Sequence, residues 1–204
     1  MARTPQDPNI RINEILDAAD YLFFTQGYHA TTISDIAKKM GVAQGMLYYY
    51  FKSKEDVLET LLDRHVSSLI SEIKNIICLT KTPPEKIALA IASVLHKASY
   101  KDGLLLNMLY DTQNLHLKVQ LFRQIELALS PWLLKIIDDG ILNQNFCVSH
   151  SPTAVDYILV IVDFLSEALY QKTSADIFSF RLRMAEALIE KALGMQENTI
   201  HILL

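Results

Sequence analysis

The stretch TTISDIAKKMGVAQGMLYYYF, Thr31 to Phe51, decides how the chain folds. Thr32 stands three residues before Asp35, a capping-box pattern, and Ile33, Ile36, Ala37 and Met40 then recur at the spacing of one buried helical face. Gly41 ends that helix after barely two turns, and a second short helix runs from about Ala43 or Gln44 to Tyr50. Two short helices joined by a glycine-containing turn of about three residues make a helix-turn-helix. The second of them is odd. It holds Gly45 inside the helix, where glycine costs roughly 1 kcal/mol against alanine, and a run of three tyrosines that must turn some hydroxyls to solvent.

On the N-terminal side, Ile12, Ile15, Leu16, Ala19 and Phe23 form one apolar stripe of a first helix, which stops at Gly27. On the C-terminal side, Ser53-Lys54-Glu55-Asp56 opens a fourth helix that continues from Val57 to about Leu79. These flanking helices complete a small core. TKTPPEK then places Thr82 as an N-cap and Pro83 at the first position of a fifth helix with Ile87, Ile91, Val94, Leu95 and Ala98 on one side. A short sixth helix is expected over Leu104 to Tyr110, followed by a long helical region from Leu115 to Asn143. Pro131 within it either kinks one helix or starts a new one behind Ser130.

Ser151-Pro152 opens a helix that is apolar all round, and the last helix, Asp176 to Leu193, carries two apolar stripes. A second copy of the same pair would cover both outer faces and give a four-helix dimer interface. Its candidate residues are Tyr157, Ile158, Ile161, Leu165, Leu169, Phe180, Met184 and Leu188. The alternative is that both helices are interior to a larger monomeric bundle. The fold class is therefore all-α, with a helix-turn-helix domain over residues 1–54 and a helical bundle over 55–204.

Half of the 204 residues are hydrophobic and glycine and proline number six each, which suits a helical protein with a real core. MARTPQDPN lacks the apolar centre of a signal peptide, and the longest aliphatic run, Ile158 to Val162, is too short to span a bilayer. The chain reads as cytoplasmic, with no membrane partner. Cys78 and Cys147 show no paired metal-ligand spacing and read as packing residues, and the six histidines do not pair at helix-face spacing. No metal and no cofactor are expected. The net charge of −4 is unevenly spread: residues 1–54 carry six Lys or Arg against five Asp or Glu, and the remainder 13 against 18. Only the first part permits a nucleic-acid partner.

A helix from Gln44 to Tyr50 lying in a major groove would account for the oddity. Gly45 would let the backbone approach the DNA closely, and Gln44 could pair with an adenine edge. Tyrosine hydroxyls suit phosphate oxygens, and Lys54 at a helix N-terminus would form an anion site. Leu47, Tyr50 and Phe51 read as core, and Lys38 and Lys39 as solvated charge. The run GYHATTISDIAKKMGVAQGMLYYYFKSKEDVLETLL resembles the DNA-binding segment of the TetR (tetracycline repressor) family of transcriptional regulators, over Ile12 to Leu62. The matching parts are the G-Y-x-A-T-T entry, the I-A-x-x-x-G-V helix and turn, the G-x-L-Y-Y-Y-F recognition helix and the K-S-K-E-x-L exit. Beyond it, IIDDGILNQNF is similar to a stretch near the end of that family's long seventh helix.

The resemblance implies that Thr32 touches phosphate, that Gln44 and Gly45 face bases, and that Tyr48, Tyr49 and Lys54 grip the backbone. Ala43 replaces a serine or threonine found in many relatives, which removes one base hydrogen bond and leaves contact with a thymine methyl. It further implies a homodimer on an inverted-repeat, double-stranded operator, a repressor's role, and a ligand pocket in the C-terminal helices. His96 and Tyr100, at i and i+4, with Asn107, Met108, Tyr110, Phe122 and Trp132, are the candidate lining for a small apolar or amphipathic effector. No catalytic residues are assigned, since neither a phosphate loop nor a nucleophile elbow is present. The competing readings are a constitutive DNA binder without an effector and, further off, a helical-bundle enzyme.

Overall fold

The computed structural model describes residues 7–99, 106 and 115–204. Eight helices and no strand occur among these residues: α1 (Pro8–Gln26), α2 (Ile33–Met40), α3 (Gln44–Tyr50), α4 (Lys54–Ile77), α5 (Pro83–Ala98), α6 (Leu115–Leu142), α7 (Ser151–Tyr170) and α8 (Ala175–Ala192). The short helix expected over 104–110 lies outside the described residues except for Leu106, which is buried. None of the described helices is long and apolar enough to cross a membrane.

Two compact units divide the chain between His65 and Val66. The sequence places its boundary after Lys54, before α4 gets under way. The reason for the difference lies in the first turns of α4. Val57, Leu58, Leu61 and Leu62 are buried, and Arg64 donates to Asp17 of α1 over 2.7 Å, so this part of the helix belongs to the first unit. In that unit α1 packs on α2 and α2 on α3. Ile15, Leu16, Ala19 and Phe23 of α1 are buried, as the stripe requires, with Ile36 of α2 and Leu47 of α3. The Phe23 and Tyr28 rings meet edge to face at 5.1 Å.

The second unit is built on one apolar core to which Leu69 and Ile73 of α4, Ile87 and Ile91 of α5, Leu133 and Ile137 of α6, Ile158 and Leu165 of α7, and Ile189 of α8 contribute. α5 packs on α6 and α7, α6 on α7, and α7 on α8. Pro131 leaves α6 a single helix. The missing amide falls on an exposed position, and Ser130 Oγ donates to the Glu126 carbonyl one residue before it, so solvent and a side chain serve carbonyls near the gap. At the C-terminal end of α6, a Cβ added at Gly140 would overlap the Phe146 ring, so this glycine admits the aromatic into the core. After α8 the chain turns at Gly194 (φ +62°) and lies back along the helix. Glu190 accepts from the amides of Asn198, Thr199 and Ile200 at 2.6–3.0 Å, and Glu186 from that of Ile202, which seats Ile200 and Ile202 in the core.

Candidate nucleic-acid interface

Local sequence builds the helix-turn-helix. Thr32 Oγ accepts from the Asp35 amide, while the Thr32 amide and hydroxyl both donate to the Asp35 carboxylate, at 2.6–3.1 Å. The Thr32 hydroxyl, then its amide, hold the Asp35 carboxyl below its ordinary range. Gly41 is left-handed (φ 68°, ψ 33°), its amide and that of Val42 close the end of α2 on Lys38 and Ala37 carbonyls, and α3 begins three residues later. Leu47 is wholly buried and fixes which way α3 faces. Ala43, Gln44, Gly45, Tyr48 and Tyr49 are all exposed, Tyr49 to 82%. The pairs Gln44–Tyr48 and Gly45–Tyr49, each at i and i+4, form one outward surface. Nothing lies within 4 Å of the place a Cβ at Gly45 would occupy, so internal packing does not call for the glycine.

Two residues expected at phosphates already make contacts within the chain. Lys54 turns inward: its Nζ donates to the carbonyls of Tyr28 (2.8 Å), Thr31 (2.9 Å) and His29 (3.4 Å) and sits 4.3 Å from the centre of the Tyr28 ring. A cation with three carbonyl acceptors and an aromatic face beside it is held by the loop between α1 and α2. Tyr28 completes the clamp by donating to Glu55 over 3.4 Å, and burial, then the Glu55 charge, push its phenol up. The start of α4 is capped by Ser53 Oγ on the Asp56 amide, which occupies one of the free amides of the expected anion site. Thr32 is exposed, but its hydroxyl proton goes to Asp35. Tyr50 is half-buried and Phe51 buried, in keeping with a core role.

In the second unit, a narrow apolar cleft opens between four helices, with Ile73 of α4, Ile91 and Val94 of α5, Leu133 of α6, and Ile158 and Leu159 of α7 in its lining. The expected ligand residues do not meet there. His96 is exposed, because nine residues after Ile87 at 100° per residue bring it to the opposite side of α5 from the core. Phe122 and Trp132 are half-buried on α6 and are not in the cleft lining. Tyr100, Asn107, Met108 and Tyr110 lie outside the described residues.

The expected dimer residues divide in two. Ile158 and Leu165 are fully buried in the chain's own core and are unavailable to a partner, while Ile161 and Leu169 are half-buried. Tyr157, Phe180, Met184 and Leu188 are exposed, and the sequence reading missed Val160, Phe164 and Ile177 beside them. The i, i+3, i+7 spacing of Tyr157, Val160 and Phe164 was the available signal, obscured because α7 is apolar all round. Arg181 of α8 lies 5.2 Å from the Phe164 ring and joins the two stripes.

An all-helical chain with this capped helix, left-handed glycine turn and outward polar-aromatic second helix is a helix-turn-helix protein. Residues 15–61 match the N-terminal model of the tetR family of bacterial regulatory proteins. The chain is 40% identical over 79 residues to the fatty acid metabolism regulator protein of Bacillus subtilis, across 39% of this chain and 41% of that one. It is 37% identical over 84 residues to the transcriptional repressor KstR2 of Mycolicibacterium smegmatis, across 41% of each. These matches span about two fifths of the curated relatives' length. The crystal structure of the transcriptional regulator FadR from Bacillus subtilis in complex with stearoyl-CoA is similar over 93% of this chain and 99% of that one, with a TM-score of 0.67 and 25% identity. A TetR transcription regulator from Haloarcula marismortui shares the fold, with a TM-score of 0.74 at 22% identity over 91% and 98% of the two chains.

Proposed function

We propose that the chain is a sequence-specific, non-catalytic transcriptional regulator of the cytoplasm that binds an inverted-repeat operator as a homodimer and is released by an effector with a long apolar part. The observation that carries the reading is Gly45. It is an exposed glycine in the first turn of α3 that packing does not require, flanked on one surface by Gln44, Tyr48 and Tyr49, and an external backbone approach gives it a reason. Gln44 would read a base edge, Ala43 a thymine methyl, and the two tyrosines would hold phosphates. Lys54 would serve by holding the loop from which α2 starts.

The repressor's role is supported by KstR2, and the apolar effector by the stearoyl-CoA bound to FadR together with the wholly apolar cleft of this chain. The effector would act by altering the separation of the two recognition helices, which must match about one turn of DNA or a multiple. The test is selection of bound fragments from random duplex DNA by the purified protein at near-physiological salt. The expected product is an inverted repeat whose complex an apolar metabolite fraction dissociates. Recovery of unrelated sequences with a steep salt dependence would rule out base reading.

A further inference from the structure

Six lysines and arginines fall in the described part of the first unit, and five of them have a neighbour that answers their charge. Arg11 pairs with Glu14 at 2.6 Å and Arg64 with Asp17 at 2.7 Å. Lys54 donates to three carbonyls, Lys39 sits 3.6 Å from the centre of the Tyr21 ring, and Lys38 stands one turn from Asp35 on α2. The sixth is Lys52. It is exposed, and its ammonium has no partner among the described residues.

The chain nevertheless fixes Lys52 by its backbone. The Asp56 carboxylate accepts the Lys52 amide at 2.8 Å, while Ser53 Oγ accepts the Asp56 amide at 3.2 Å, so reciprocal caps close the link between α3 and α4. Phe51 is extended (φ −133°, ψ 133°) and buried. Successive side chains on extended backbone leave on opposite sides, so Lys52 points away from the core where α3 ends, three residues after the exposed Tyr49. A cation on a held backbone has only its own rotors to order when an anion binds it.

We propose that Lys52 contacts a phosphate of the operator backbone beside the groove that α3 enters, one such contact coming from each protomer. The inference rests on reading α3 as the recognition helix. A phosphate contact of this kind adds affinity and register and carries no sequence information, so its loss falls equally on every duplex.

Anisotropy titrations of the full chain should be run on the selected inverted repeat and on a random duplex of equal length, between about 50 and 200 mM salt. Lys52→Gln should make the slope of log affinity against log salt shallower by about 1.8, two contacts at about 0.9 each, and weaken both duplexes by the same factor. Lys52→Arg should keep the natural slope, and the urea midpoint of both variants should stay that of the natural protein. Without any variant, acetylation of the natural protein followed by mass spectrometry should find Lys52 less reactive when duplex is bound. An unchanged slope in Lys52→Gln, a loss confined to the selected repeat, a slope not kept by Lys52→Arg, or acetylation of Lys52 indifferent to DNA would overturn the inference and leave the operator reading standing. Binding of neither duplex by the natural protein would overturn the operator reading along with it.

Discussion

Gly45 and Lys54 lie nine positions apart in the sequence, and substitution of the two should have opposite effects on stability. Gly45→Ala places a methyl in open space within a helix, so it should raise unfolding stability by about 0.5–1 kcal/mol while lowering affinity for the selected operator. Urea denaturation and a mobility-shift titration measure the two effects, and unchanged DNA affinity would remove Gly45 from the interface. Gln44→Ala should leave stability alone and cost roughly 1–3 kcal/mol in binding, concentrated at one base pair of each half-site. Lys54→Met should destabilise the protein by about 1–3 kcal/mol, because three carbonyls of the α1–α2 loop lose a charged donor. A lysine acting on phosphate alone would leave stability untouched. The outward side of α3 was legible because a glycine and exposed tyrosines break local preference. The inward turn of Lys54 was not, since Tyr28 and Thr31 lie more than twenty positions away.

At the scale of the helices, caps were readable and partners were not. Thr82 and Glu85 mark the start of α5, and the bonds follow: the Thr82 amide and hydroxyl both donate to the Glu85 carboxylate at 2.8 Å. That amide, then the hydroxyl, then Lys81, lower the Glu85 carboxyl from 4.5 to about 2. Its contribution to folding is therefore complete above pH about 4.5 and is lost as pH falls through about 2. An NMR titration should find Glu85 ionised down to that range, and Thr82→Ala should move its midpoint back toward 4.5. A midpoint already near 4.5 in the natural protein would mean that the cap does not hold in solution. Pro131 was ambiguous because a proline can open a helix or interrupt one, and packing along both halves of α6 keeps it whole. The segment after Leu193 carried only the alternation of Ile200 and Ile202 as a signal, and the three amides gathered by Glu190 could not be foreseen from it.

For the molecule as a whole, the outward stripes of α7 and α8 are the proposed dimer face. Phe164→Glu or Met184→Glu should raise the dimer dissociation constant at least about 30-fold, on a loss of about 2 kcal/mol at a central apolar contact, and leave the helical content of the chain unchanged. Sedimentation equilibrium decides it, and dimers of undiminished strength would place the interface elsewhere. Periodicity, capping pairs and glycines determined, from the sequence by itself, that the chain is all-helical, where its helices begin, and which side of α3 faces out, because those choices depend on neighbours within a turn or two. Which side of α7 is core, that His96 points away from the cleft, that Lys54 closes a loop and that the first unit extends to His65 were decided only in the tertiary structure. A helix apolar on every side, or a long flexible cation, has several local solutions of similar energy, and contacts from distant parts of the chain select among them.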